Sequence, residues 1–229
     1  MNNKNPKHIA IILDGNKRWA SKNNRSVMEG YNRGLDKIRI IMQANLEKKI
    51  PYLTLFTLSS ENLLRNTINN IFKIILDNFE KFLYEIIDKN KIKIRIIGRR
   101  NNLPKKIINI INKCENLTSN NKELTLNLAF NYGFKNEISD VIQKIIKSKK
   151  LINPYDLSEI NNLFYLGDIP DPDILIRTGG KKRLSNFLLW QMAYTEIFFI
   201  DKMWPDFNKN DLKKILNKFR NIKRNFGKI

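Results

Sequence analysis

The stretch His8-Ile9-Ala10-Ile11-Ile12-Leu13-Asp14-Gly15-Asn16 decides how this chain is read. Its nearly continuous apolar run is short and stops at turn-forming residues, the pattern of a strand buried on both faces within a parallel sheet. In open α/β sheets ligands collect beyond the carboxyl ends of such strands, so Asp14 and Asn16 become the first candidates for chemistry. Working outward, Leu35, Ile38, Met42 and Leu46 recur at helical spacing between about Glu29 and Lys49, and Pro51 follows the stop. Tyr52–Leu58 then reads as a second strand that runs into Ser59-Ser60-Glu61-Asn62.

The same alternation continues. Ile92–Ile97, Leu124–Phe130, Asp173–Ile176 and Glu196–Phe199 read as further strands, and Ile68–Ile87, Pro104–Cys114, Phe134–Lys147, Leu157–Phe164 and Asp211–Asn225 as helices. Strands alternating with helices predict an α/β fold with a mostly parallel sheet covered on both faces, and the whole chain, 1–229, is expected to form one domain. Asp14, Asn16, Ser59, Glu61, Asn131, Arg177 and Gly179 should then converge on one rim of the sheet. The helix over 68–87 carries Phe72, Ile75, Phe79, Phe82, Leu83 and Ile86 on one face; core packing and the wall of a site for a long apolar ligand both account for it.

With 229 residues and 42% hydrophobic composition the chain can bury a substantial core. No apolar stretch reaches the roughly 18 residues of a membrane span and the first residues are polar, so a soluble, cytoplasmic protein is expected. Cys114 is the only cysteine, which excludes an internal disulfide, and His8 is the only histidine, which disfavours a zinc site or a histidine-based triad. The net charge of +20 is spread along the chain without a basic stripe interleaved with aromatics, so no nucleic-acid partner is expected, while anionic substrates would be attracted.

Three clusters carry chemistry. Asp14-Gly15-Asn16-Lys17-Arg18-Trp19 places an oxygen ligand, a flexible turn and two cations directly after a buried strand, which suits a magnesium diphosphate as well as a plain turn capping the next helix. Arg177-Thr178-Gly179-Gly180-Lys181-Lys182-Arg183-Leu184-Ser185-Asn186 combines glycines with arginines and a hydroxyl, either a second phosphate site or a basic turn, and lacks the GxxxxGK[ST] spacing of a Walker loop. Ser59-Ser60-Glu61-Asn62, with Arg65 close by, is by itself an ordinary helix cap.

Taken together, these segments resemble the cis-prenyltransferase family, most closely its bacterial undecaprenyl diphosphate synthases. The matching stretches are His8 to Ala20, Leu53 to Asn62, Leu124 to Gly133, Asp171 to Gly180 and Arg183 to Phe207, of which Leu184-Ser-Asn-Phe-Leu-Leu-Trp-Gln191 and Trp204-Pro-Asp-Phe207 are the most specific. The resemblance implies a homodimer of subunits, each with a six-stranded parallel sheet and a hydrophobic tunnel, that use Mg²⁺ to join isopentenyl diphosphate to an allylic diphosphate. Farnesyl diphosphate is the expected primer and an undecaprenyl carrier for cell-wall glycan the expected product, with peripheral membrane contact for its release.

Carried onto this chain, the resemblance makes Asp14 the central catalytic group, with Asn62 beside it. Gly15, Asn16, Lys17, Arg18 and Trp19 belong to the allylic diphosphate site, and Ser59, Ser60, Glu61 and Arg65 help organise the reacting ends. Arg177, Arg183 and Ser185 match the isopentenyl diphosphate site, and Glu196 matches a second acid that assists magnesium beside Asp14. The face from Phe72 to Ile86 becomes the tunnel wall, and Leu124 and Leu126 are candidates for its floor. The chain departs from the family pattern at Val27, Tyr31, Leu63, Lys181 and Asn225; Arg25 and Arg224 are expected to compensate for two lost arginines. These departures also motivate an alternative, a non-catalytic subunit that supports an active partner.

Overall fold

A computed structural model describes residues 5–63, 92–101, 103–148, 152–153 and 155–225. The opening run forms strand β1 (His8–Ile12), buried along its whole length. β2 (Tyr52–Ser59) and β5 (Ile174–Arg177) flank it in parallel register, Ile12 standing opposite both Phe56 and Arg177. β3 (Ile92–Ile97), β4 (Leu124–Tyr132) and β6 (Glu196–Phe199) complete one six-stranded sheet in the order β3-β4-β2-β1-β5-β6, every pair parallel.

Strand alternation divides the core into two layers. Ile9, Ile11, Leu53, Leu55, Leu126, Leu128 and Ile176 face one way. They pack against Ile38 and Ile41 of α2 (Val27–Glu47), Ile107 and Ile111 of α4 (Lys105–Thr118), and Leu212, Ile215 and Phe219 of α7 (Lys209–Arg220). Ala10, Ile12, Phe56, Ala129 and Leu175 face the other way, toward Leu166, Phe187, Leu188 and Met192. The small side chains of Ala10 and Ala129 let this loop-built layer come close, and Phe187 stacks on Phe56 with ring centroids 4.6 Å apart. Leu124 and Leu126 are fully buried in the first layer.

Local signals explain the element ends. α2 begins at Val27, ahead of the expected Glu29, because Ser26 and Glu29 form a reciprocal capping box. α7 begins at Lys209, since Asn208 and Asp211 form another, and stops at Arg220 rather than running on to Asn225. α5 (Phe134–Lys147) has the bounds expected for it, while α6 (Leu157–Asn161) ends early: Phe164 leaves the helix direction to stack on Phe134 and Trp190. Two short helices follow strand ends, α1 (Asn16–Lys22) after β1 and α3 (Ser60–Leu63) after β2, and Trp204–Asp206 forms a turn of 3₁₀ helix. The expected helix over 68–87, with its aromatic face, and Arg65 lie outside the described residues.

His8 is a structural residue of β1. Its Nδ1 meets the Pro170 carbonyl at 2.7 Å and its Nε2 meets Thr54 Oγ1 at 2.7 Å, so Nδ1 carries the proton and Nε2 accepts from the hydroxyl. Complete burial pushes the imidazole down to about 4, against smaller opposing effects of the Pro170 carbonyl and the Asp173 charge. Cys114 is buried in α4.

Candidate active site

Asp14 leaves β1 at the carboxyl end of the sheet, and its backbone is tied from three sides. Its N–H donates to Ile12 O at 3.0 Å and to Thr178 Oγ1 at 2.9 Å, while its carbonyl accepts from the Thr178 hydroxyl at 2.7 Å and from Trp204 N–H at 3.0 Å. The carboxylate, about a quarter exposed, is then presented between two guanidinium groups. Arg18 Nη2 donates to Oδ1 at 3.0 Å, and Arg177 Nη2 donates to Oδ2 at 2.9 Å.

Arg18 reaches this position from the first turn of α1, where its Nη1 also donates to Gly179 O at 2.7 Å. Gly179 has φ +81°, and a Cβ there would stand 2.7 Å from Arg18 Nη2 and 3.0 Å from Asp14 O, so only glycine admits this approach. Arg177 is the last residue of β5 and only 3% exposed. Its Nη1 donates to Ser185 Oγ at 2.8 Å and to the Arg183 carbonyl, and its Nε is buried without a hydrogen-bond partner. Arg183 Nε donates to the same Ser185 hydroxyl at 3.3 Å. One buried arginine thus joins the Asp14 cluster to the Arg183–Ser185 loop.

The third cluster follows β2. Ser59 Oγ accepts the Asn62 N–H at 3.2 Å, the cap expected from its sequence, and Ser60 Oγ accepts from Asn136 Nδ2 at 2.9 Å. Glu61 Oε1 accepts from Asn186 Nδ2 at 2.8 Å. Partial burial works against ionisation of Glu61, but hydrogen bonds from Asn186, its own backbone N–H and Ser59, with the charge of Lys135, hold its carboxyl below the ordinary range.

Other expected residues make no contact with the Asp14 carboxylate that would mark their role. Lys17 is exposed on α1, and Asn16 Nδ2 turns back to Leu13 O at 3.3 Å, leaving its Oδ1 buried without a partner. Trp19 packs away from the carboxylate: it is buried, its indole N–H donates to Asp206 Oδ1 at 2.8 Å, and the Arg33 guanidinium covers its ring at 4.9 Å. Arg25 is exposed and pairs with Glu29 at 3.3 Å. Tyr31 does lie in the field of Asp14: burial first, and then the Asp14 charge, raise its hydroxyl pKa.

Glu196 does not join the Asp14 cluster within one chain. It is the first residue of β6, opposite Ile174, and all strands run the same way, so it sits at the end of the sheet remote from Asp14. There Arg224 approaches it at 3.7 Å and holds Asp173 with the carbonyl of Tyr194. Within one chain Glu196 and Asp14 cannot share a cation. Among the described residues no three acidic, cysteine or histidine side chains cluster as a metal cage.

Asn186, next to Ser185 in the basic turn, belongs to the site through its bond to Glu61, although its sequence context does not mark it. Nothing in the type of an asparagine within a basic turn distinguishes a bridging amide from a solvent-facing one.

The chain is similar to known proteins along nearly its whole length. The prenyltransferase family model that describes undecaprenyl diphosphate synthases matches residues 12–227. An isoprenyl transferase of Rickettsia sibirica is 45% identical over 98% of this chain and 99% of its own length, and one of Lactobacillus johnsonii is 40% identical over 97% and 96%. A crystal structure of lavandulyl diphosphate synthase from Lavandula x intermedia, in complex with dimethylallyl diphosphate, superposes with a TM-score of 0.90 at 30% identity over 98% of this chain and 99% of that one. One titled a probable undecaprenyl diphosphate synthase from Campylobacter jejuni gives 0.82 at 33% identity over the full length of both chains. With a buried arginine linking two polar clusters on the rim of a parallel sheet, and relatives of this similarity spanning its length, the chain is a prenyl-transferring enzyme belonging to the undecaprenyl diphosphate synthase family.

Proposed function

We propose that this enzyme uses Mg²⁺ to condense isopentenyl diphosphate onto an allylic diphosphate in the cis sense, with farnesyl diphosphate as primer and undecaprenyl diphosphate, a carrier lipid for cell-wall glycan, as product. The observation that carries the reading is the chain of contacts Arg18–Asp14–Arg177–Ser185 at the strand ends. Two diphosphates must be brought together head to tail, and here two cationic lobes share one carboxylate. In this reading Arg18, Gly15 and Asn16 hold the allylic diphosphate, Arg177, Arg183 and Ser185 hold the isopentenyl diphosphate, and Ser59, Glu61 and Asn62 organise the reacting ends.

The donor set fits Mg²⁺ carried by a diphosphate. Mg²⁺ is commonly held by one or two carboxylates plus substrate phosphates, and each Asp14 oxygen retains a lone pair beyond its guanidinium contact. With Arg18 and Arg177 alongside, a bare cation would be repelled. When bound, the ion neutralises charge that develops on the departing diphosphate. The allylic C1–O bond breaks with its electron pair leaving on diphosphate, the alkene electrons of isopentenyl diphosphate form the new C–C bond, and a proton lost from its C2 leaves the new double bond. Arg18, on the allylic side, stabilises that departing charge more strongly in the transition state than in the ground state.

The reading extends to a homodimer. β6 is an edge strand whose Ile197 and Phe199 are exposed, with Tyr194 nearby. A metal role for Glu196 requires a second copy of the chain. No helix among the described residues is long and apolar enough to cross a membrane, so contact with the lipid that accepts the product would be peripheral. Incubation of the purified protein with farnesyl diphosphate, labelled isopentenyl diphosphate and Mg²⁺, followed by mass spectrometry, is expected to yield undecaprenyl diphosphate. A different chain length would revise the product, and absence of any polyprenyl diphosphate would overturn the reaction.

A further inference from the structure

Ser185 and Asn186 follow one another in the left-handed region, φ 52° and 63°, a conformation unfavourable for side chains with a Cβ and best tolerated by Asn. Three contacts hold Asn186 there. Its carbonyl accepts Phe134 N–H at 2.8 Å, its Oδ1 accepts Lys135 N–H at 2.9 Å, and its Nδ2 donates to Glu61 Oε1 at 2.8 Å. α5 starts after Gly133, which has no side chain to cap it, so Asn186 caps its first turn from elsewhere in the chain. Because Oδ1 is committed to a backbone donor, the amide has one orientation, with its N–H toward Glu61. Gly133 leaves the space for it, since a Cβ there would stand 2.8 Å from Asn186 Nδ2.

The backbone of Asn186 is continuous with Ser185, on which Arg177 and Arg183 converge, and its side chain fixes α3, which carries Glu61 and Asn62. We propose that Asn186 is a positioning residue for the reaction, setting the distance between the Arg177–Arg183–Ser185 lobe and α3. The inference rests on the function proposed above. Asp14 and Arg18 share Arg177 with this lobe but have further anchors of their own in Thr178 and Gly179, so the effect of Asn186 should fall chiefly on the isopentenyl side.

Asn186→Asp separates positioning from capping. It keeps an oxygen for Lys135 N–H, where negative charge at a helix N-terminus is favourable, but sets two carboxylates against each other at Glu61. The thermal midpoint is expected to stay within about 3 °C of wild type. The KM for isopentenyl diphosphate should rise about 10-fold or more, as expected when a positioning contact is displaced, and the KM for the allylic diphosphate should change less than about 2-fold. The double variant Asn186→Asp/Glu61→Gln restores a donor–acceptor pair at the wild-type net charge. It should recover at least about 5-fold over the product of the single effects, the coupling of residues in direct contact.

Calorimetric titration with isopentenyl diphosphate reads the same loss without turnover. Wild-type kinetics for Asn186→Asp, equal losses for both substrates with a lowered midpoint, or additivity in the double variant would each overturn the proposal. A wild type that binds isopentenyl diphosphate yet makes no product would overturn the function while the titration still decides the role of Asn186; a wild type that binds none overturns both.

Discussion

Replacing Arg177 with lysine preserves its charge and removes its fork. The guanidinium serves Asp14 Oδ2, Ser185 Oγ and the Arg183 carbonyl at once, from a side chain that is 3% exposed. A shorter ammonium can keep the contact with Asp14 but cannot span to the loop as well. Two charge-assisted bonds at about 1.5 kcal/mol each give a loss of about 3 kcal/mol. For a chain of this size that lowers the thermal midpoint by roughly 6–12 °C. If the same loop positions isopentenyl diphosphate, the loss converts to about a 100-fold drop in kcat/KM. The assay is incorporation of labelled isopentenyl diphosphate at saturating allylic diphosphate, with a melt followed by circular dichroism. An Arg177→Lys protein within about 3-fold of wild-type activity and about 2 °C of its midpoint would refute the reasoning, because the fork would then be dispensable.

Asp14→Asn keeps the shape of the side chain but turns one arginine contact into a donor facing a donor, and it is expected to cut product formation by about 10³-fold, as measured by labelled incorporation. Chelation of Mg²⁺ should stop turnover yet leave the melting curve of the substrate-free protein unchanged, since no cage of acidic, cysteine or histidine side chains forms among its described residues. Gly133→Ala is expected to raise the KM for isopentenyl diphosphate several-fold, roughly as a displaced positioning group does, without backbone strain, because Gly133 is in extended conformation and only the approach of Asn186 is blocked. His8 stays neutral in the fold to about pH 4, whereas the unfolded chain takes up its proton near 6.5, so protons favour unfolding and stability is lost as pH falls through this window. Urea denaturation should lose about 2 kcal/mol to this group between pH 7.5 and 5, and His8→Gln should flatten that slope.

The sheet was legible because its strands announce themselves. The run His8–Ile12 is apolar enough that burial on both faces is the simple outcome, Ile92–Ile97 alternates isoleucines with Lys93 and Arg95 as an edge strand does, and each runs into polar residues at the rim. Where polar residues belong to the strand itself, the reading stops short: β2 includes Ser59, reached through irregular register with β4, and β4 includes Asn131 and Tyr132. Asp14, Arg177 and Ser185 could be expected together because each closes or follows a strand. The separation of Glu196 from Asp14 within one chain could not be foreseen by the same reasoning, which sees that a residue lies in a strand but not how far it stands from the rim. Trp19 is amphipathic enough to serve a ligand or a core, and only the partner across the chain, Asp206, decides.

The anchoring of Asp14 by Thr178 and Trp204 has a consequence for the birth of the enzyme. β1 emerges early in synthesis, but the hydroxyl that holds the Asp14 backbone lies 164 residues later. At about 5–20 residues per second, roughly 8–30 s separate the appearance of the carboxylate from that of its support. During that interval a nascent chain can pair β1 with β2 but cannot seat Asp14, so a ribosome-bound fragment ending before Thr178 carries the acid without the competence to use it.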